Sequence, residues 1–77
     1  MNIKLKFQGK IYKVIEPLQP NDISIIKEAF KVVDSKGTQF TLIHSITGYY
    51  LYDDKAHRVA ETSSIKWSDN NGRFDTV

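Results

Sequence analysis

The stretch Asp22 to Val33, DISIIKEAFKVV, constrains the fold more than any other part of the chain. On a helical wheel at about 100° per residue, Ile23, Ile25, Ile26, Ala29, Phe30, Val32 and Val33 fall in one half. Ser24, Lys27, Glu28, Lys31 and Asp34 fall in the other. Alternation as a strand would leave both faces mixed. The spacing therefore predicts a helix over about 22–33, against the lowered helix propensity of its β-branched residues. Asn21 or Asp22 is placed to cap its first turn, with Pro20 just before. Asp34-Ser35-Lys36-Gly37 ends it, Gly37 supplying the positive φ that helix exits favour.

The rest of the chain reads as strands. Ile3, Leu5 and Phe7 alternate with Asn2, Lys4 and Lys6, and Gln8-Gly9-Lys10 turns the chain into Ile11–Ile15. If Tyr12 and Val14 face the core with Leu5 and Phe7, Ile11 and Ile15 face outward beside Lys4, Lys6 and Lys13. Pro17 and Pro20 stiffen the link that follows. Thr38–His44, Tyr49–Tyr52, His57–Thr62 and Ser64–Trp67 are further strand candidates, separated by the turns Ser45–Gly48 and Asp53–Ala56. Asn70-Asn71-Gly72 is a hairpin signal that places Trp67 near Phe74, and Asp75-Thr76-Val77 reads as a loose end. One helix packed on a mostly antiparallel sheet, ββα and then three to five short strands, is an α+β fold. Residues 1–77 form a single domain, because so short a chain buries one small core.

Residues 1 to 30 carry a resemblance. Met1-Asn2-Ile3 opens a first strand, Gly9-Lys10 turns it, Glu16-Pro17 closes the second, and Asp22-Ile23 with Ile26-Lys27 begins the helix. This is similar to the N-terminal half of ubiquitin-like β-grasp proteins. The resemblance implies a sheet crossed by one helix and a solvent-facing sheet side that meets partner proteins. The chain ends Arg73-Phe74-Asp75-Thr76-Val77, without the terminal glycine pair of the conjugated members, so conjugation is not expected.

Composition narrows the chemistry. There are no cysteines, which excludes disulfides, thiolate nucleophiles and Cys-ligated zinc. No apolar run approaches the roughly 20 residues of a membrane span, and no signal-peptide core is seen, so a cytoplasmic setting is expected and no membrane partner. His44 and His57 are the only histidines, and Asp53 and Asp54 near His57 make a weak metal set. Isolated glycines form no phosphate-cradling loop, and no Gly-x-Ser-x-Gly elbow occurs. An enzyme is not expected, nor a cofactor or metal.

Binding is the remaining class. Tyr50 and Tyr52 share one face of a strand whose other face holds Tyr49 and Leu51, and a helix covers only one side. Tyr50, Tyr52 and Trp67, with Lys55 and Arg58 nearby, suit either a protein hot spot or a stacking platform for single-stranded nucleic acid. Ile11, Lys13 and Ile15 form a second candidate patch, fit for a protein partner or a second copy of the chain. The net charge of +2 is mild, yet Lys4, Lys6, Lys10 and Lys13 crowd the first fifteen residues without an acid. Such a basic end suits steering toward an anionic partner, or it simply protects a sheet edge as a solvated, Lys-rich strand. A compact cysteine-free chain rich in Lys, Asn, Asp and Ile resembles small phage-encoded inhibitors or modulators of host proteins. The sequence therefore points to a non-catalytic regulator acting through protein contact, with a single-stranded nucleic-acid-binding accessory protein as the alternative.

Overall fold

A computed structural model describes residues 2–20 and 24–74. Seven strands follow one another: β1 (Lys4–Phe7), β2 (Lys10–Leu18), β3 (Ile26–Val33), β4 (Gln39–Ser45), β5 (Gly48–Tyr52), β6 (Arg58–Thr62) and β7 (Lys66–Trp67). They form one antiparallel sheet in the order β6-β5-β4-β3-β2-β1-β7. The first six strands are a meander of hairpins. Residues 63–65 then carry the chain from β6, at one edge, to β7, at the other. The sheet curls into a half-barrel, which is how so short a link joins its two edges.

No helix is present among the described residues, and residues 26–33 are β3. The α+β class, the helix over 22–33 and the β-grasp resemblance are overturned together. The cap proposed at Asn21 or Asp22 and the loose end at 75–77 lie outside the described residues. The physical reason is the position of β3 inside the sheet. Phe30 and Val32 face the interior, Val32 without solvent contact. The opposite face is apolar in part as well: Leu18, Ala29, Ile43 and Tyr50 are successive ladder partners across β2, β3, β4 and β5. Ala29 is buried in that row. A central strand with apolar neighbours on both faces has no need of strict alternation, and its β-branched residues suit the pleat.

Leu5, Phe7, Tyr12, Val32, Leu42 and Leu51 make the core, with Val14, Phe30, Phe40, Tyr49, Ala60, Ile65 and Trp67 packed around it. Every strand contributes to this list. Tyr12 meets Phe40 edge-on at 5.7 Å between ring centres, and Phe30 meets Trp67 the same way at 5.5 Å. Such T-shaped pairs set the electropositive edge of one ring against the face of the other.

Three turns share one construction. The Asp34 N–H donates to the Thr38 carbonyl, and Asp34 Oδ1 accepts from the Lys36 and Thr38 N–H groups at 2.9 Å each. Asp53 does the same with Lys55 and His57, and Asp69 with Asn71 and Arg73. In each turn the fourth residue takes a positive φ: 84° at Gly37, 64° at Ala56 and 77° at Gly72. DSKG is therefore a hairpin turn rather than a helix exit. The hydrogen bonds from His57 and Arg73 hold the Asp53 and Asp69 carboxyls below the usual carboxylate range.

Two outcomes are expected. Ala56 is the one of the three φ-positive positions that bears a Cβ, so Ala56→Gly relieves about 1 kcal/mol of left-handed strain. A calorimetric Tm a few degrees higher is the expected result; an unchanged or lower Tm contradicts the turn geometry. The second concerns acid. Because the folded pKa of Asp53 and Asp69 is depressed, their contribution is present above the ordinary value of 3.8 and lost as pH falls through the folded values. The stability gap between the wild type and Asp53→Ala/Asp69→Ala should be constant near neutral pH and close below about pH 4. Melting curves across that range test it.

Candidate functional site

The outward face of β7, β1 and β2 is the site with the clearest physical character. It is set by the β1–β2 hairpin. Gln8 and Gly9 both take positive φ, 51° and 84°, the conformation of the tight two-residue turns that match strand twist. That turn fixes the register Lys6↔Ile11, Leu5↔Tyr12 and Lys4↔Lys13. Leu5 and Tyr12 point into the core, so Lys4, Lys6, Ile11 and Lys13 face outward. On the far side of β1, β7 places Trp67 opposite Leu5 and Lys66 opposite Lys6. Two bonds extend this pairing: the Ser68 N–H donates to the Lys4 carbonyl at 2.8 Å, and the Lys4 N–H donates to Ser68 Oγ at 2.7 Å.

A β-bulge between Val14 and Glu16 completes the face. Val14 pairs with Val32 and Glu16 with Lys31, which leaves Ile15 as the extra residue. Ile11 and Ile15 are each 46% exposed. Beyond Lys13, β2 has no ladder partner in β1, so residues 15–18 are paired on one side only. Pro17, which has no N–H, sits in that half-paired stretch, where strand prolines are tolerated.

The charge pattern is unusual. Lys4 lies directly across from Lys13, and Lys6 directly across from Lys66. Facing side chains in a ladder are about 5 Å apart at Cβ, and like charges so placed are destabilising. The remaining ladder partners of these lysines are Ile11 and Val33, neither of them an acid. Lys6 Nζ stands 4.9 Å from the centre of the Phe74 ring, a cation–π contact. Glu16, the nearest acid along β2, is opposite Lys31.

The residues singled out in the sequence fall into separate places. Ile11, Lys13 and Ile15 share the face just described. Tyr50, Tyr52 and Arg58 lie on β5 and β6, at the other end of the strand order. The Tyr50 hydroxyl is 2.6 Å from Thr47 Oγ1, and the Arg58 guanidinium covers the ring at 5.2 Å. Tyr52 lines an open groove of about 470 Å³ with Lys31, Thr41 and Ile43. Lys55 is exposed in the Asp53 turn. Trp67 is an inner residue packed on Phe30, whereas Phe74 lies under Lys6. Lys66 is on β7. Lys4 and Lys6, which the sequence offers either as a basic end for an anionic partner or as a solvated strand edge, belong to this face. Their alternation with Leu5 and Phe7 was visible, but the return of Lys66 beside them had no local signal.

His44 is stacked on Tyr49 at 4.1 Å, and its Nδ1 lies 3.3 Å from Glu28 Oε2. His57 Nδ1 is 3.7 Å from Asp53 Oδ2. Among the described residues, no three His, Asp or Glu side chains gather as a metal set. Set against protein-family models, curated proteins and solved structures, the chain gives no match.

The facing lysines make a direct test. Lys13→Glu turns the Lys4 pair into an attractive one and should stabilise the fold by about 0.2–1 kcal/mol at low salt. The gain should fade in roughly 1 M salt, where the Debye length is about 3 Å. Urea denaturation at two ionic strengths gives the answer; a salt-independent effect contradicts the electrostatic account.

Proposed function

We propose that this protein is a non-catalytic binding protein, a modulator that works in the cytoplasm by docking its β7-β1-β2 face on a partner protein. The observation that carries this reading is the exposure of Ile11 and Ile15 on a sheet face that also bears Lys13. Two large aliphatic side chains held 46% exposed on rigid strands are a latent contact surface. The bulge at Ile15 supports the same reading, since bulges re-aim side chains at sheet margins. The single-stranded nucleic-acid alternative draws on Tyr50 and Tyr52 as stacking rings. It is the weaker reading, because the Tyr50 ring is already covered by Arg58.

The test is affinity capture from a cell lysate by tagged wild type and by Ile11→Ser/Ile15→Ser, each with and without nuclease. Retention of a discrete protein by the wild type after nuclease, and its loss from the double variant, is the expected result. A captured set that disappears with nuclease overturns the reading in favour of nucleic acid. Equal capture by wild type and variant removes this face from consideration. The variant itself should be as stable as the wild type within about 0.5 kcal/mol, because both changes are on the surface.

A further inference from the structure

We infer that the partner meets this face with carboxylates: the site is built for an acidic protein surface, whose Asp or Glu side chains settle among Lys4, Lys6, Lys13 and Lys66 while its apolar side chains cover Ile11 and Ile15. The inference rests on the reading of the β7-β1-β2 face as a protein-docking surface and names what that surface selects.

Charge complementarity carries the argument. Two lysine pairs sit in register on three adjacent strands, Lys4 with Lys13 and Lys6 with Lys66. Among the described residues, Lys4, Lys6 and Lys13 enter no ion pair. The facing Lys4 and Lys13 therefore carry a repulsion that an anionic partner relieves on binding. Such a face attracts acidic surfaces over distance and rejects basic ones. The sheet holds the four stems in fixed relative positions, so little backbone order is lost on docking.

The choice of carboxylate over phosphate follows from what lies between the charges. Ile11 is the ladder partner of Lys6, and Ile15 follows Lys13 by two residues. A phosphate backbone offers nothing to cover them, whereas a protein surface brings apolar and acidic groups together. The charges are all lysine, without the arginine fork that favours bidentate phosphate contacts. The face has no open ring for base stacking, since Phe74 is already engaged by Lys6.

The probe is a short glutamate-rich peptide carrying two leucines, titrated into the full chain and followed by backbone amide NMR. Its glutamine counterpart and an oligothymidylate of equal charge run beside it. The expected result is shifts centred on Lys4, Lys6, Ile11, Lys13 and Lys66 with the glutamate peptide, much smaller ones with the glutamine peptide, and loss of binding at high salt. Lys4→Glu/Lys6→Glu should weaken binding at least about tenfold. That variant keeps its fold, because each new carboxylate faces a ladder lysine, Lys13 or Lys66. Lys27→Glu/Lys55→Glu makes the same change in net charge at two exposed positions, on β3 and in the Asp53 turn, and should bind as the wild type does.

Absence of shifts on this face, equal weakening in both variants, or tighter binding of the oligothymidylate overturns the inference. Repeating the lysate capture with Lys4→Glu/Lys6→Glu separates the two levels. A protein partner lost from Ile11→Ser/Ile15→Ser but kept by the lysine variant leaves the docking reading intact and removes the carboxylate inference alone.

Discussion

A sheet with no helix to cover it can bury an apolar face only against itself. Everything in this architecture answers that constraint. Seven strands curl until Leu5 and Phe7 of β1, Leu42 of β4 and Leu51 of β5 share one interior. Each strand supplies alternate residues to the concave side, and the largest of them lose essentially all contact with water. Curling uses the native twist of strands and is helped by the bulges at Ile15, between Ile26 and Glu28, and between Leu51 and Tyr52. Glycine is required where the start of β5 and the end of β6 come close together. At Gly48, with φ at 143°, a Cβ would lie 2.9 Å from the Thr62 carbonyl oxygen.

Closing the interior turns the convex side to solvent, and among the described residues its composition divides sharply. Around β3 to β5 it is an apolar row of Leu18, Ala29, Ile43 and Tyr50, partly shielded by its own neighbours. Around β7 to β2 it is lysine interleaved with isoleucine. The second arrangement opposes folding, because like charges face one another across the ladder.

Much of the strand framework could be read from the chain, and the fold class could not. Alternation in Ile3-Leu5-Phe7 and the Gln8-Gly9 turn lead directly to β1, β2 and the outward Ile11 and Ile15. The turns at Ser45–Gly48, Asp53–Ala56 and Asn70–Gly72 were each marked by their residue types. What failed was periodicity over 22–33, where a two-sided strand and an amphipathic helix place apolar residues alike. The β-branched content was the better guide. So was the repeated spacing of Asp34, Asp53 and Asp69, each four residues before the N–H that closes its turn. Of the site, Ile11, Lys13 and Ile15 were legible because they are local to one hairpin. Lys66 was not, since only the β1–β7 pairing brings it there.

That pairing also orders the assembly of the molecule in time. Hairpins from β1 to β6 join neighbours in sequence and need only short loops to close. The contact between Leu5 and Trp67 must instead gather nearly the whole chain, and β7 is only two residues long. Loop-closure entropy grows with the length enclosed, so the meander forms first and the β7 clasp last. The lysine face is complete only after that final step, when Lys66 arrives opposite Lys6. A chain still in the act of folding thus presents three of the four lysines on the β1–β2 hairpin, and the fourth joins them only on closure.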